Sequence, residues 1–131
     1  MPMQVDLVSP ERTLLAVEAS MVRARTVGGG DIAFLTGHAP FIGALETWTV
    51  TITLTDGGTE TAAVHGGFIS INDDQVKILS DLAELASQVD VVRAQAAAER
   101  AEATMRTHED AEAESALARA HARLRAAGVL V

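Results

Sequence analysis

The residues best able to do chemistry lie in the last third of the chain. The segment Val89 to Arg100 reads VDVVRAQAAAER, with Asp90, Arg93 and Arg100 set in an alanine-rich stretch. Asp90 is placed to accept backbone N–H bonds and so to begin a helix. On that helix Arg93, Ala97 and Arg100 share one face, because residues three and four apart are neighbours. Arg119, Arg123 and Arg125 follow, and no acidic residue stands after Glu114. Arg119 and Arg123 are one turn apart and share a face, while Arg125 points elsewhere. The pattern has two readings: a basic face that holds a ligand, or a capped helix on a solvated surface.

Other chemistries find little support. The histidines stand at 38, 65, 108 and 121, without paired spacing. His108 and Glu112 are one turn apart in HEDAE, but two ligands do not make a zinc site. Cysteine is absent, which excludes disulfides and thiolate ligands. No serine stands in a G-x-S-x-G turn. The GGG at 28 to 30 precedes a strand pattern and lacks the lysine of a phosphate loop, so it reads as a turn. No metal site and no catalytic residue is expected.

These residues sit in a chain of 131, enough for one core and an appendage. Hydrophobic residues make up 48% and charged residues 21%, the balance of a folded protein. No run reaches the roughly 18 apolar residues of a membrane span. The opening MPMQVDLVSPER reads as neither a secretory signal nor a transit peptide. A net charge of −8 argues against a nucleic-acid partner, which needs a basic face. The charge is uneven: residues 1–88 hold 11 acids and 4 bases, residues 89–131 hold 7 and 6.

Two textures divide the chain, and the expected boundary separates 1–87 from 88–131. The first part carries about ten short strand signals with polar turns, the pattern of a β-sandwich or flattened barrel. WTVTITLT followed by DGG and TETAAVH reads as one hairpin, and GGFISIN with QVKILS around NDD as a second. LTGHAPFIGAL at 35 to 45 reads as a rigid inter-strand loop, with His38 as a loop hydrogen-bonder. From Asp90 to Ala127 there is no Pro or Gly, and alanine dominates. The segment MRTHED splits this stretch into two helices of about 17 residues each, an antiparallel hairpin roughly 25 Å long. Thr107 or Asp110 would cap the second helix, and Gly128 would stop it. The fold class is α+β.

The hairpin has few large apolar residues: Val91, Val92, Met105, Leu117 and Leu124. A buried alanine methyl contributes roughly 0.8 kcal/mol, against about 2–3 for a leucine. Such a hairpin either docks weakly and moves, or packs closely because its residues are small.

In combination, three blocks carry a resemblance. GHAPFIGAL near residue 40, VHGGFISINDDQVKILSDLAE at 64 to 84, and VDVVRA opening an alanine-rich hairpin occur in this order over essentially the whole chain. The chain resembles the epsilon subunit of bacterial F-type ATP synthase. That resemblance implies a ten-stranded sandwich, a helix–loop–helix, and a non-catalytic place in the central stalk. It implies partners too: the gamma subunit and the ring of c subunits for the sandwich, and the alpha/beta hexamer when the hairpin extends as a brake on hydrolysis. The location it implies is peripheral, on the cytoplasmic face of the bacterial membrane, without insertion.

The resemblance also gives residues roles. Val89-Asp90-Val91-Val92-Arg93-Ala94 matches the [IL]DxxRA motif through which some members bind ATP, with Val as a mild departure. It implies no cofactor, but ATP as a possible regulatory ligand of Asp90, Arg93, Arg100, Arg119 and Arg123. His38, Phe41 and Ile42 are the expected rotor contacts, and Arg119, Arg123 and Arg125 the expected inhibitory ones. Without the resemblance, the residues suggest a non-enzymatic adaptor whose hairpin binds a partner coiled coil. The organellar equivalent is a further alternative within the family.

Overall fold

A computed structural model describes residues 2–130. Seven strands come first: β1 (Met3–Val8), β2 (Thr13–Thr26), β3 (Gly30–Leu35), β4 (Phe41–Leu54), β5 (Thr59–Asn72), β6 (Gln75–Leu79) and β7 (Ala83–Leu85). A single 3-10 turn, Ala86–Gln88, leads to helices α1 (Val91–Thr107) and α2 (Ala111–Ala126).

The strands close on themselves. The path β1-β6-β5-β4-β2 returns to β1 through a β1–β2 pairing, with β3 beside β2 and β7 beside β5. All pairings are antiparallel except β1 with β6. This is the flattened barrel that the short alternating runs predict. Alternation decides which side chains fill it. Met3, Val5 and Leu7 point in from β1, Val76 and Ile78 from β6, and Ile69 and Ile71 from β5, all buried.

Residues 13–27 carry two strand signals, TLLAVEA and SMVRARTV, yet β2 is continuous through Thr13–Thr26. It pairs with β1 through residues 13–19 and with β3 through 21–26. Similarly, β5 pairs with β7 at Ala62–Val64 and with β6 from Phe68 onward. About ten short signals thus become seven strands, because a strand can change partner without leaving the extended conformation. In β5 the change falls at Gly66 and Gly67. A Cβ on Gly67 would sit 2.0 Å from the Leu79 carbonyl oxygen, so only glycine allows that approach.

Both expected hairpins form. Asp56 closes the β4–β5 turn by accepting the Gly58 N–H at 2.8 Å. Asp73 and Asp74 make the two-residue β5–β6 turn, both at positive φ (50° and 60°). The Gly37 loop is tied to this turn, its N–H donating to Asp74 Oδ1 at 2.7 Å.

Candidate functional site

The helices begin and end for local reasons. Asp90 Oδ1 accepts the Arg93 N–H at 3.1 Å and caps α1. Asp110, one of the two expected caps, accepts the Ala113 N–H at 2.9 Å. Gly128 at φ 80° follows α2. The Gly128 N–H bonds the Arg125 carbonyl and the Val129 N–H bonds that of Leu124, a Schellman closure.

Helix α2 lies between α1 and the sandwich. Ala94 and Ala98 of α1 meet Ala120 and Leu124 of α2. On the other side Ala122 and Ala126 rest on Ala63 of β5. Of the large residues expected to hold the hairpin, only Leu124 is buried; Val92 is 76% exposed and Met105 37%.

A cleft of about 330 Å³ opens where α1 begins. Asp90, Arg93, Ala97 and Arg100 line one side, and Arg123 and Glu84 face them. The shared face read from the helix period is therefore real, and Ala97 leaves it open. Among the described residues, Arg93 and Arg100 have no acidic partner within 4.0 Å. Arg123 is held by Glu84, its Nε donating to Oε1 at 2.6 Å. Asp90 both caps the helix and lines the cleft, so the two readings of VDVVRA coexist.

Not every expected residue joins them. Arg119 lies outside the lining and bonds Glu112 at 2.8 Å. Glu84 and Gln88 line the cleft and were not singled out from the sequence. Glu84 sits in DLAEL with nothing to link it to an arginine 39 residues later.

Arg125 is not a free cation either. Its guanidinium carbon lies 3.7 Å from the centre of the Trp48 ring, and that of Arg25 lies 3.3 Å from it. Two guanidinium groups this close to one ring must occupy opposite faces. Asp31 neutralises Arg25 through two bonds of 2.9 and 3.1 Å. Burial, then the charge of Arg25, pulls the Arg125 guanidinium below its ordinary range. The positive end of the hairpin is thus occupied in the docked form: Arg119 by Glu112, Arg123 by Glu84, Arg125 by Trp48.

The expected rotor contacts divide. Ile42 is 75% exposed. Phe41 is half-buried: it packs on the core, 5.2 Å from Phe34 between ring centres, and also lines an open groove beside Ile42. His38 meets the edge of Phe34 at 5.0 Å, with Nδ1 2.7 Å from the Ala39 carbonyl oxygen. The reason is strand alternation: β4 begins at Phe41, so Phe41 and Ile42 must face opposite sides.

Among the described residues no cluster of three His, Asp or Glu could hold a metal. No helix there is long and apolar enough to cross a membrane.

Comparison with known proteins accounts for both parts. Residues 2–86 match the description "ATP synthase, Delta/Epsilon chain, beta-sandwich domain", and residues 87–128 match the "long alpha-helix domain" of the same chain. The chain belongs to the ATP synthase delta/epsilon family. Its two family domains meet inside the 3-10 turn that separates strand from helix. An ATP synthase epsilon chain of Streptomyces griseus subsp. griseus is 46% identical over 127 residues, covering 97% of this chain and 96% of the relative. That of Moorella thermoacetica is 40% identical over 132 residues, covering 98% of each. A chain in the Euglena gracilis mitochondrial ATP synthase has the same fold, at TM-score 0.82 and 23% identity, covering 96% of this chain and 81% of that one.

Proposed function

We propose that this family member turns with the central stalk of a proton-translocating ATP synthase. It passes torque between the c-ring and gamma without an active site of its own. The observation that carries this reading, beyond family membership, is an apolar face on the outside of the sandwich. Ile42 is 75% exposed, Phe68 55% and Leu79 49%. Register puts them together: Ala44 pairs with Phe68, Phe68 with Leu79, and Ile42 lies one row along opposite Ser70. A contiguous exposed apolar face marks a partner surface. Gamma and the c-ring are the proposed partners, with the chain peripheral on the cytoplasmic face of the membrane.

The hairpin is the proposed brake. Docked, it keeps Arg119, Arg123 and Arg125 occupied. Extended, it frees Arg123 and Arg125 for acidic segments of the alpha/beta hexamer, while Arg119 keeps Glu112 of its own helix. The cleft is the proposed regulatory ATP site. Arg93 and Arg100, unpaired and on one face, suit the phosphates, since guanidinium groups bind them bidentately. Arg123 would complete the set, and Asp90, Glu84 and Gln88 offer polar partners for the rest of the nucleotide. Arg119 stands further off. ATP held between the helices and β7 would favour the docked form through its differential affinity. Calorimetry of the full chain tests the site: millimolar ATP binds the wild type, Arg93→Ala weakens binding at least tenfold, and Arg119→Ala changes it little. Equal binding by Arg93→Ala and wild type would leave Asp90 and Arg93 as a helix start alone.

A further inference from the structure

His65 lies on β5 beneath the hairpin; it does not line the ATP cleft, and it shares a groove with Phe68 and Leu79 at the border of the apolar face. Its side chain is 3% exposed. Neither ring nitrogen has a hydrogen-bond partner. The nearest acceptor is Glu84 Oε1, 3.5 Å from Nε2. That same oxygen already accepts from Arg123 at 2.6 Å. An imidazolium here would need two acceptors and would find one, shared with a cation and withdrawn from water.

We propose that His65 makes the docking of the helical hairpin sensitive to protons, so that acidification loosens the hairpin from the sandwich. The charged groups around it are Glu84 from β7 and Arg123 and Arg119 from α2. Asp81 lines the groove on its sandwich side. Burial holds the docked imidazole below its ordinary 6.5; Arg123 and, more weakly, Arg119 add to this, and Glu84 opposes it. When the hairpin leaves, His65 gains water and loses both arginines, while Glu84 stays behind on the sandwich. The undocked form therefore binds the proton more tightly. Docking is fully present above about 6.5, where both forms are neutral, and weakens as pH falls through that value. One proton limits the effect to roughly tenfold per pH unit, ending at the lower pKa of the docked form. An acid cytoplasm would then favour the extended hairpin. The inference rests on the hairpin being able to leave the sandwich.

The test is an NMR titration of the full chain without nucleotide, from about pH 7.5 to about 5. Trp48, the only tryptophan, reports docking because Arg125 stacks on it. A reference for the undocked state is Ala126→Glu, which places a charge in the Ala63–Ala122–Ala126 contact. The expected result is that the Trp48 indole signal moves toward the Ala126→Glu position as His65 itself titrates, and that His65→Gln abolishes this step. A Trp48 step that persists in His65→Gln, or that is displaced from the His65 midpoint in the wild type, overturns the proposal. If Ala126→Glu moves the signal but acid does not, the hairpin is mobile and His65 is not its sensor. If neither moves it, the mobile hairpin falls as well, and the proposal with it.

Discussion

The interior of the sandwich and the seat of the hairpin bury their residues in opposite ways. Inside the sandwich, Phe34, Met3, Leu7, Ile52, Ile69, Ile71 and Ile78 are fully buried. Under the hairpin, the contact with β5 is Ala63 against Ala122 and Ala126. Burying a large aliphatic or aromatic side chain is worth about 1.5–3 kcal/mol, and an alanine methyl about 0.8. The sandwich thus has what a permanent core needs. The hairpin has helices rich in strong helix formers, seated on β5 through alanines alone. Two polar contacts supplement that seat: Arg123 to Glu84 and Arg125 on Trp48. Contacts of this kind respond to ligand, charge and pH, where an apolar core would not.

Substitutions at graded positions break or sharpen this contrast. The largest effect is expected at Phe41. Phe41→Asp would remove the ring that packs on Phe34 and set a carboxylate at a half-buried position, and both changes cost stability. Urea unfolding should show the sandwich destabilised by about 3 kcal/mol or more. A loss under about 1 kcal/mol would mean that Phe41 is not part of the core.

An intermediate effect is expected at Arg125. Stacking of a guanidinium on an indole is worth about 0.5–2 kcal/mol. Here the low end applies, because Arg125 Nε is buried without a partner and Arg25 holds the other face of the ring. Arg125→Ala should shift Trp48 fluorescence and loosen α2 in hydrogen exchange, while the unfolding transition of the sandwich stays in place. Loss of the sandwich transition would show that hairpin and sandwich are one cooperative unit. The smallest effect on stability is expected at Ile42, one residue from Phe41. Ile42→Asp should alter it by no more than about 0.5 kcal/mol, because the side chain already faces water. Its effect belongs to assembly, which co-purification with the membrane-bound complex would read as a loss.

Much of the architecture was legible because it is local. Period-two alternation marks Val76 and Ile78 as inward, NDD announces a turn that needs positive φ, and Asp90 and Gly128 announce helix ends. The Arg93–Ala97–Arg100 face was legible for the same reason, since helix geometry sets it. What escaped is tertiary. The helix period shows that Arg125 leaves the Arg119–Arg123 face, but not that Trp48 awaits it 77 residues earlier. Glu84 carries no local sign that it will meet Arg123 and His65. Phe41 reads as part of a loop because Gly37, Pro40 and Gly43 punctuate the segment, yet the strand starts there. Once β4 begins at Phe41, alternation puts it inward and Ile42 outward. Arg119 shares a helical face with Arg123, but its guanidinium turns to Glu112, seven residues back on the same helix.

The central claim is that the hairpin is a detachable brake on a rotor subunit. ATP hydrolysis by the assembled complex tests it, comparing the full chain with one lacking residues 90–131. The account predicts that hydrolysis rises without the hairpin while the sandwich still assembles and proton pumping stays coupled. Unchanged hydrolysis in a fully assembled complex would contradict it, and would leave the hairpin as a static cover over β5.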